Sequence, residues 1–297
     1  MKISIITPTL NSEEYIEQAI QSVLAQEYTN FEHIVVDGGS TDETINILKK
    51  YPHIKWISEP DKGQSDAMNK GFKMSQGEVI VYLNCDDYFL DGAFHAVIPH
   101  LKSGYKFVVG DVILKLDDGR EFTIQPNVDY KKMLKHWEYA AFPNNPVQYF
   151  YAREVQESFP FNINNKKTMD LEFLFNAANK YEFKHIDKVL GVYLLLDGAV
   201  SVEAQKDPMY WTFETFDFID KHLLKFEKEE ILEFKKEQQL AYLERAYNAI
   251  NQDNKNKVYD DLISSIKNLV SVKFSMHPFK KYQYYKEVLK YFYRTGQ

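Results

Sequence analysis

The sequence predicts an α/β body built on a mostly parallel sheet flanked by helices, followed by a helical C-terminal extension. Two observations carry this. Over the first hundred residues, short β-branched runs alternate with helically spaced apolar residues across brief connections. From about Pro208 onward the spacing is helical and no convincing strand occurs.

Element by element, Ile3 to Ile6 is a β-rich run that stops at Thr7-Pro8. Ser12 is placed to cap a helix whose apolar residues Ile16, Ala19, Ile20, Val23 and Leu24 share one face. His33 to Val36 reads as a second strand ending at Asp37, with a turn at Gly38-Gly39-Ser40 and a helix capped by Thr41 or Asp42 running to Lys50. Ile54 to Ile57 is a third strand, Ser65 to Met74 a helix, and Glu78 to Leu83 a fourth strand ending at Asn84-Cys85-Asp86-Asp87. Such alternation implies a largely parallel sheet covered on both faces.

Beyond residue 105 the pattern loosens. Lys106–Leu116 and Arg120–Gln125 read as a hairpin across Asp117-Asp118-Gly119. Gln148–Ala152, Phe183–Ile186 and Leu190–Leu195 are strand candidates, and Met169–Tyr181 a helix. The expected division is a body over residues 1–203 and an extension over 204–297.

Composition excludes several classes. Apolar types make up 44% of the 297 residues and charged types 27%, which is globular rather than disordered or fibrous. The single cysteine, Cys85, allows neither an internal disulfide nor a thiolate zinc site. No apolar run approaches the roughly 20 residues that span a bilayer, and the start lacks a signal-peptide pattern. The expectation is a cytoplasmic protein, soluble or peripheral on the inner face of a membrane.

The net charge of −7 is unevenly spread: residues 267–297 carry seven basic side chains against Glu287 alone, which leaves the remainder at −13. An acidic body disfavours nucleic acid as a partner. In the basic tail, lysines stand among tyrosines and phenylalanines. Two readings stay open there, a last helix packing its rings on the body and a segment meeting an anionic membrane.

The chemistry-bearing residues fall at strand ends, where open parallel sheets bind ligands. Asp37 by itself reads as a turn former. Asp86-Asp87 differs, because adjacent carboxylates repel unless a cation lies beside them, and Mg²⁺ or Mn²⁺ suits carboxylates plus substrate phosphates. The first loop, Thr7 to Asn11, lacks the glycines of a dinucleotide fingerprint, and no Walker loop occurs.

An ordered set of motifs resembles family 2 glycosyltransferases of the GT-A fold. The set comprises Ile5-Ile6-Thr7-Pro8-Thr9-Leu10-Asn11, Val35-Val36-Asp37-Gly38-Gly39-Ser40-Thr41-Asp42, Asp61-Lys62-Gly63, Ser65-Asp66-Ala67-Met68-Asn69-Lys70-Gly71, Gly77-Glu78 and Tyr82-Leu83-Asn84-Cys85-Asp86-Asp87. Among family members, it is most similar to bacterial enzymes building O-antigen and capsular polysaccharides.

The resemblance implies roles. Thr7, Pro8 and Asn11 line a nucleotide pocket, with Asp37 near base or ribose, and Asp66 and Asn69 border the donor ribose and sugar. Asn84 and Asp86 occupy the acid-x-acid position, Asp86 and Asp87 hold a divalent cation (Mn²⁺ or Mg²⁺) on the diphosphate, and Asp170 is the catalytic base, with Glu172 its nearest competitor. Gly198 to Ser201 resembles a closing loop. His136, Trp137 and Tyr139 could stack on a sugar, but an aromatic cluster is more often core. Three positions depart from the pattern: Asn84 for an acid, Gly38 for a frequent second Asp, and Val147 for a frequent His.

The implied reaction is inverting transfer of a sugar from a nucleoside-diphosphate donor, with UDP taken as the nucleotide, to a hydroxyl of a glycan or lipid-linked glycan acceptor in surface-polysaccharide synthesis. The alternatives are a nucleotidyltransferase, which would need a Gly-rich basic first loop, and a sugar- or nucleotide-binding scaffold without turnover.

Overall fold

The computed structural model describes residues 1–135, 142–143, 145–196, 219, 221–231 and 234, all within one compact unit, Met1–Arg245. The expected boundary at 203, the Gly198 loop, the ring cluster at 136–139 and the basic tail lie outside the described residues.

Four parallel strands form the first half of the sheet: β1 (Ile3–Thr9), β2 (Phe31–Asp37), β3 (Ile54–Ser58) and β4 (Val79–Tyr82), in the order β3-β2-β1-β4. Between them run α1 (Ile16–Leu24), α2 (Thr44–Leu48) and α3 (Gln64–Met74). Beyond β4 the sheet becomes mixed. β5 (Tyr88–Phe89) precedes α4 (Ala93–Lys102), and β6 (Phe107–Leu116) pairs antiparallel with β7 (Glu121–Ile124) as the expected hairpin. After α5 (Tyr130–Lys135), β8 (Tyr149–Ala152) joins β4 to β6, antiparallel to both. Then α6 (Arg153–Ser158), α7 (Met169–Lys180) and β9 (Phe183–Leu195) complete the body, with β9 parallel to β6 and antiparallel to β5. The α/β architecture thus matches the expectation.

Side-chain alternation along the strands gives the sheet two buried faces. Ile3, Ile5, Val79, Val81 and Leu83 pack with Phe94, Val97 and Phe150 beneath α1 and α4. Ile6, Ile34, Val36 and Tyr82 pack on the other face with Met68 of α3 and Leu174 and Phe175 of α7. Phe107 anchors that second face, its ring stacked 3.8 Å from Phe183. α3 lies against β1 because Gly71 has no side chain: a Cβ there would stand 2.3 Å from Ile6 Cγ2.

Four local differences from the sequence reading have plain causes. Ser12 does not cap α1 with its side chain; its carbonyl accepts from Tyr15 and Ile16 N–H while its hydroxyl bonds the Leu10 carbonyl, so the helix starts at Ile16. α2 ends at Leu48, two residues short, with Asp42 bonding the Thr44 N–H. The two strand candidates at 183–195 are one strand: between His185 and Gly191 β9 carries extra residues against β6, a bulge that shifts the register around Asp111 without ending the pairing. α4, absent from the reading, carries Pro99 in its interior, which disguises the helical spacing of Phe94, Val97, Ile98 and Leu101.

One buried ion-pair cluster ties the amino-terminal edge together. Glu32 accepts from Lys2 Nζ at 3.0 Å, Lys55 Nζ at 2.8 Å, Ser4 Oγ at 2.7 Å and the Gln76 N–H at 2.6 Å. Burial pushes its carboxyl pKa up, but these donors outweigh burial and bring it down to about 2.

Candidate active site

Because β1 to β4 are parallel and adjacent, their carboxyl ends share one edge, and register places Thr9 opposite Asp37 and Asp37 opposite Ser58. Asp37 is fully buried there. Its carboxylate accepts from the Gly39 and Ser40 N–H groups, both at 3.0 Å, from Ser58 Oγ at 2.6 Å and from Ser40 Oγ. It therefore builds the turn after β2, as the residue alone suggested. Asn11 locks that turn to the first loop. Its backbone adopts a left-handed φ of 50°, its N–H donates to Ser40 Oγ at 2.7 Å, and its Oδ1 accepts from the Thr41 N–H at 2.9 Å.

Thr7 and Pro8 are buried within β1 rather than exposed at the edge. Thr7 Oγ1 shares a 2.9 Å hydrogen bond with His33 Nε2, and burial pushes that imidazole down to about 3, so the ring is neutral. Leu10, 56% exposed, is the apolar side chain of this loop that faces outward.

α3 begins at the same edge. Asp66, in its first turn, accepts from the Lys62 N–H at 3.1 Å, which with the Lys70 ammonium 3.5 Å away holds its carboxyl below the usual range. Asn69 is committed elsewhere: its amide donates to the Phe161 carbonyl at 2.7 Å and accepts the Phe161 N–H at 3.1 Å, clamping α3 to the segment before α7.

The acidic loop after β4 is where the two carboxylates part company. Asp87 is 1% exposed, and its oxygens accept from Asn84 Nδ2 and Asn145 Nδ2, both at 2.9 Å, and from the Leu194 N–H at 3.0 Å. A carboxylate offers about four acceptor sites, so three are already used by protein donors. Asp86 is partly exposed, and among the described residues no other residue bonds its carboxylate. Burial raises both carboxyls, Asp87 well above the usual range with the charge of Asp86 adding to it. Asn84 also accepts from Gln64 Nε2 at 3.1 Å. Cys85 is a filler against Ser12 Oγ at 3.0 Å, its thiol pushed up to about 11 by burial. Among the described residues no three His, Cys, Asp or Glu side chains converge as a ready-made metal cage.

Two contacts join these parts. Gln64 reaches Asn84 from the start of α3, and its neighbour Ser65 contacts Met169 Sδ at the start of α7. The acidic loop, the amino end of α3 and the amino end of α7 therefore meet. Asp170 stands in that first turn of α7, partly exposed, its Oδ1 accepting the Leu171 N–H at 2.9 Å. Burial raises its carboxyl pKa. Its charge also reaches the hydroxyl of Tyr149, which is 1% exposed on β8. Glu172, two residues on, points to a different face. Asn162 at 3.2 Å and Asn165 at 2.8 Å hold it, and it lines a surface hollow with Asn176, Lys221 and His222. Val147 is fully buried in the core and donates its N–H to Asn145 Oδ1 at 2.8 Å.

The family model for "Glycosyl transferase family 2" matches residues 4–165. The chain belongs to glycosyl transferase family 2. One similar protein is an uncharacterized glycosyltransferase of Nostoc sp., 33% identical over 134 residues, 42% of this chain and 40% of that protein. A second is the GalNAc(5)-diNAcBac-PP-undecaprenol beta-1,3-glucosyltransferase of Campylobacter jejuni, 26% identical over 219 residues, 69% of each chain. An uncharacterized glycosyltransferase of Bacillus subtilis matches over 60% of its length; against it and the Nostoc protein, the chain thus spans about half of the relative.

The glycosyl transferase family 2 body is also similar in fold to TarS 1-349 of S. aureus, solved in complex with UDP-GlcNAc. That match has a TM-score of 0.66 and 20% identity, covering 86% of this chain and 77% of that one. A mannosyltransferase from Pyrobaculum calidifontis, solved with GDP-Man and Mn²⁺, gives a TM-score of 0.59 at 14% identity over 94% and 82% of the two chains. The family 2 sequence signals did not mark Asn145, whose role in the acidic loop depends on a contact 58 residues away in sequence. Its Asn-Pro step reads only as a turn.

Proposed function

We propose that the protein transfers a sugar from a nucleoside-diphosphate donor, UDP by preference, to a hydroxyl of a glycan or lipid-linked glycan acceptor, inverting the anomeric carbon. The observation that supports this best is the meeting of the acidic loop with the first turns of α3 and α7, which puts the leaving-group side and a candidate base at one edge. The family 2 match supports the reaction class, and the similarity to a UDP-GlcNAc complex supports the donor class.

In this reading Asp170 accepts the proton of the acceptor hydroxyl as it attacks. A carboxyl raised by burial is a better proton acceptor than a free one, and such a step contributes typically 10²–10⁴-fold. Asp86 is the side chain with free oxygens to hold a divalent cation, which the diphosphate would complete, since such ions are commonly bound by one or two carboxylates plus substrate phosphates. When bound, the ion stabilises negative charge on the departing diphosphate. Asp87 acts behind it, fixing the loop through Asn84, Asn145 and Leu194. The undecaprenol-linked substrate in the name of the Campylobacter relative supports a lipid-linked glycan acceptor, and surface-polysaccharide synthesis is the setting that the sequence resemblance implies. A peripheral position on the inner membrane face rests on the basic aromatic tail alone; among the described residues no helix is long and apolar enough to cross a membrane.

The test is nucleotide release from a panel of UDP-sugars, with and without Mn²⁺, in the presence of lipid-linked and free glycan acceptors. Acceptor-dependent release with an inverted product linkage is expected. Tight nucleotide binding without release across the panel would favour a scaffold.

A further inference from the structure

Position 38 follows Asp37 at the nucleotide edge, and as glycine it brings no side chain there. The space is nonetheless filled. A Cβ on Gly38 would stand 2.7 Å from Asp61 Oδ2 and 3.5 Å from Leu10 Cδ1, so the carboxylate of Asp61 lies where a side chain at 38 would begin. Asp61 comes from the loop after β3. That loop is fastened to α3 by Lys70, whose ammonium meets Glu59 at 2.8 Å and the Pro60 carbonyl at 3.3 Å.

The two nearby carboxylates differ in what they have left to offer. Asp37 is consumed by four donors of its own turn and of Ser58. Asp61 uses Oδ1 to accept the Gly63 N–H at 2.7 Å, while Oδ2 accepts nothing among the described residues and the side chain is partly exposed. An anion at this edge with one oxygen unpaired, beside the outward-facing Leu10, has the chemistry to accept a hydrogen bond from a nucleoside that rests its apolar surface on that leucine.

We infer that Asp61 supplies the nucleotide-facing carboxylate that position 38 lacks, accepting a hydrogen bond from the nucleoside part of the donor and helping to set which nucleotide is bound. The inference rests on the nucleotide-sugar reading above and adds to it the residue that reads the nucleoside. The contacted group is either a ring N–H of the base or a ribose hydroxyl.

The experiment is calorimetric titration of the full chain with UDP, GDP and CDP in Mn²⁺. Asp61→Asn is then tested on the nucleotide that the wild type binds tightest and on its 2′-deoxy analogue. The asparagine oxygen keeps the acceptor for the Gly63 N–H, so the turn is preserved, but the other acceptor becomes a donor. A loss of about tenfold or more in affinity is expected, with an unchanged melting temperature for the free protein. If the ribose is the contact, the 2′-deoxy analogue weakens wild-type binding and leaves Asp61→Asn indifferent; if the base is, both proteins respond alike to it. Gly38→Asp alone should also weaken binding, because it drives a side chain into Asp61, and Gly38→Asp with Asp61→Ser should recover most of the loss, the serine hydroxyl still serving Gly63. Wild-type affinity retained by Asp61→Asn overturns this inference and leaves the function standing. A wild type that binds none of the three nucleotides overturns the nucleotide reading itself, and this inference with it.

Discussion

Asn84 donates its side-chain amide to Asp87 Oδ2 at 2.9 Å, so the residue standing where the resembled family more often has an acid hydrogen-bonds to, rather than adds to, the charge behind the candidate cation site. An aspartate at 84 would face two carboxyls already raised by burial, Asp87 also by the charge of Asp86. The amide explains how this loop holds Asp86 and Asp87 together.

The first prediction concerns that substitution. Asn84→Asp should destabilise the free protein by about 1–3 kcal/mol at neutral pH, the scale for leaving a buried acceptor unsatisfied. The added carboxyl would have a raised pKa in the fold, so the penalty is absent below its unfolded value near 4 and grows as pH rises through the folded one. Urea unfolding of both proteins at pH 4 and pH 7.5 measures it; an equal difference at the two pH values would refute the electrostatic account.

Asp86 and Asp87 should respond differently to the same change. Asp87→Asn turns one of the two accepting oxygens into a donor, so at least one of its three partners is left facing another donor, and a loss of several degrees in melting temperature is expected, about 2–4 kcal/mol. Asp86→Asn should melt near the wild type yet lose Mn²⁺-dependent nucleotide affinity. Differential scanning fluorimetry with and without Mn²⁺ and UDP separates the two, and the reverse pattern would exchange their roles.

For Asp170→Asn, turnover should fall about 10²–10⁴-fold while nucleotide affinity stays within a factor of two or three. In the wild type, the acidic limb of the rate profile should lie above the ordinary carboxyl range, since burial raises this group: activity is lost as pH falls through the raised value. A pH–rate profile in single-turnover conditions reads it. Glu172→Gln, altering a side chain that Asn162 and Asn165 hold on another face, should leave the rate within a few-fold.

The Glu32 cluster gives a stability test remote from the site. Its carboxyl is lowered to about 2 in the fold, so its contribution is present above the unfolded value near 4.5 and is lost as pH falls toward 2. Glu32→Gln should cost about 2 kcal/mol at pH 7, with the difference from wild type shrinking between pH 4.5 and 2. Chemical denaturation across that range checks the sign.

The amino-terminal half of the body was legible in the sequence, because the strands there centre on short β-branched runs: Ile3 to Ile6, although β1 runs on through Pro8 to Thr9, and His33 to Val36 before Asp37-Gly38-Gly39. The helix of Asp170 and the hairpin at 106–125 were legible too. Short elements were not, since α5 and α6 are six residues each and too brief to show a period.

What the sequence determined by itself was therefore local: strand, turn and helix chemistry, and the ordered motifs that place the chain in its family. Only the tertiary structure decided what each acid is for. Asp86 and Asp87 are equivalent as neighbours in a chain, but Asn84 and two donors from distant segments, Asn145 and Leu194, close around one and leave the other open. Asp37 and Asp61 likewise differ only through the turn that consumes the first and the glycine that makes room for the second. Hydrogen-bond saturation is a property of the assembled surroundings, and residue spacing along a chain does not encode it.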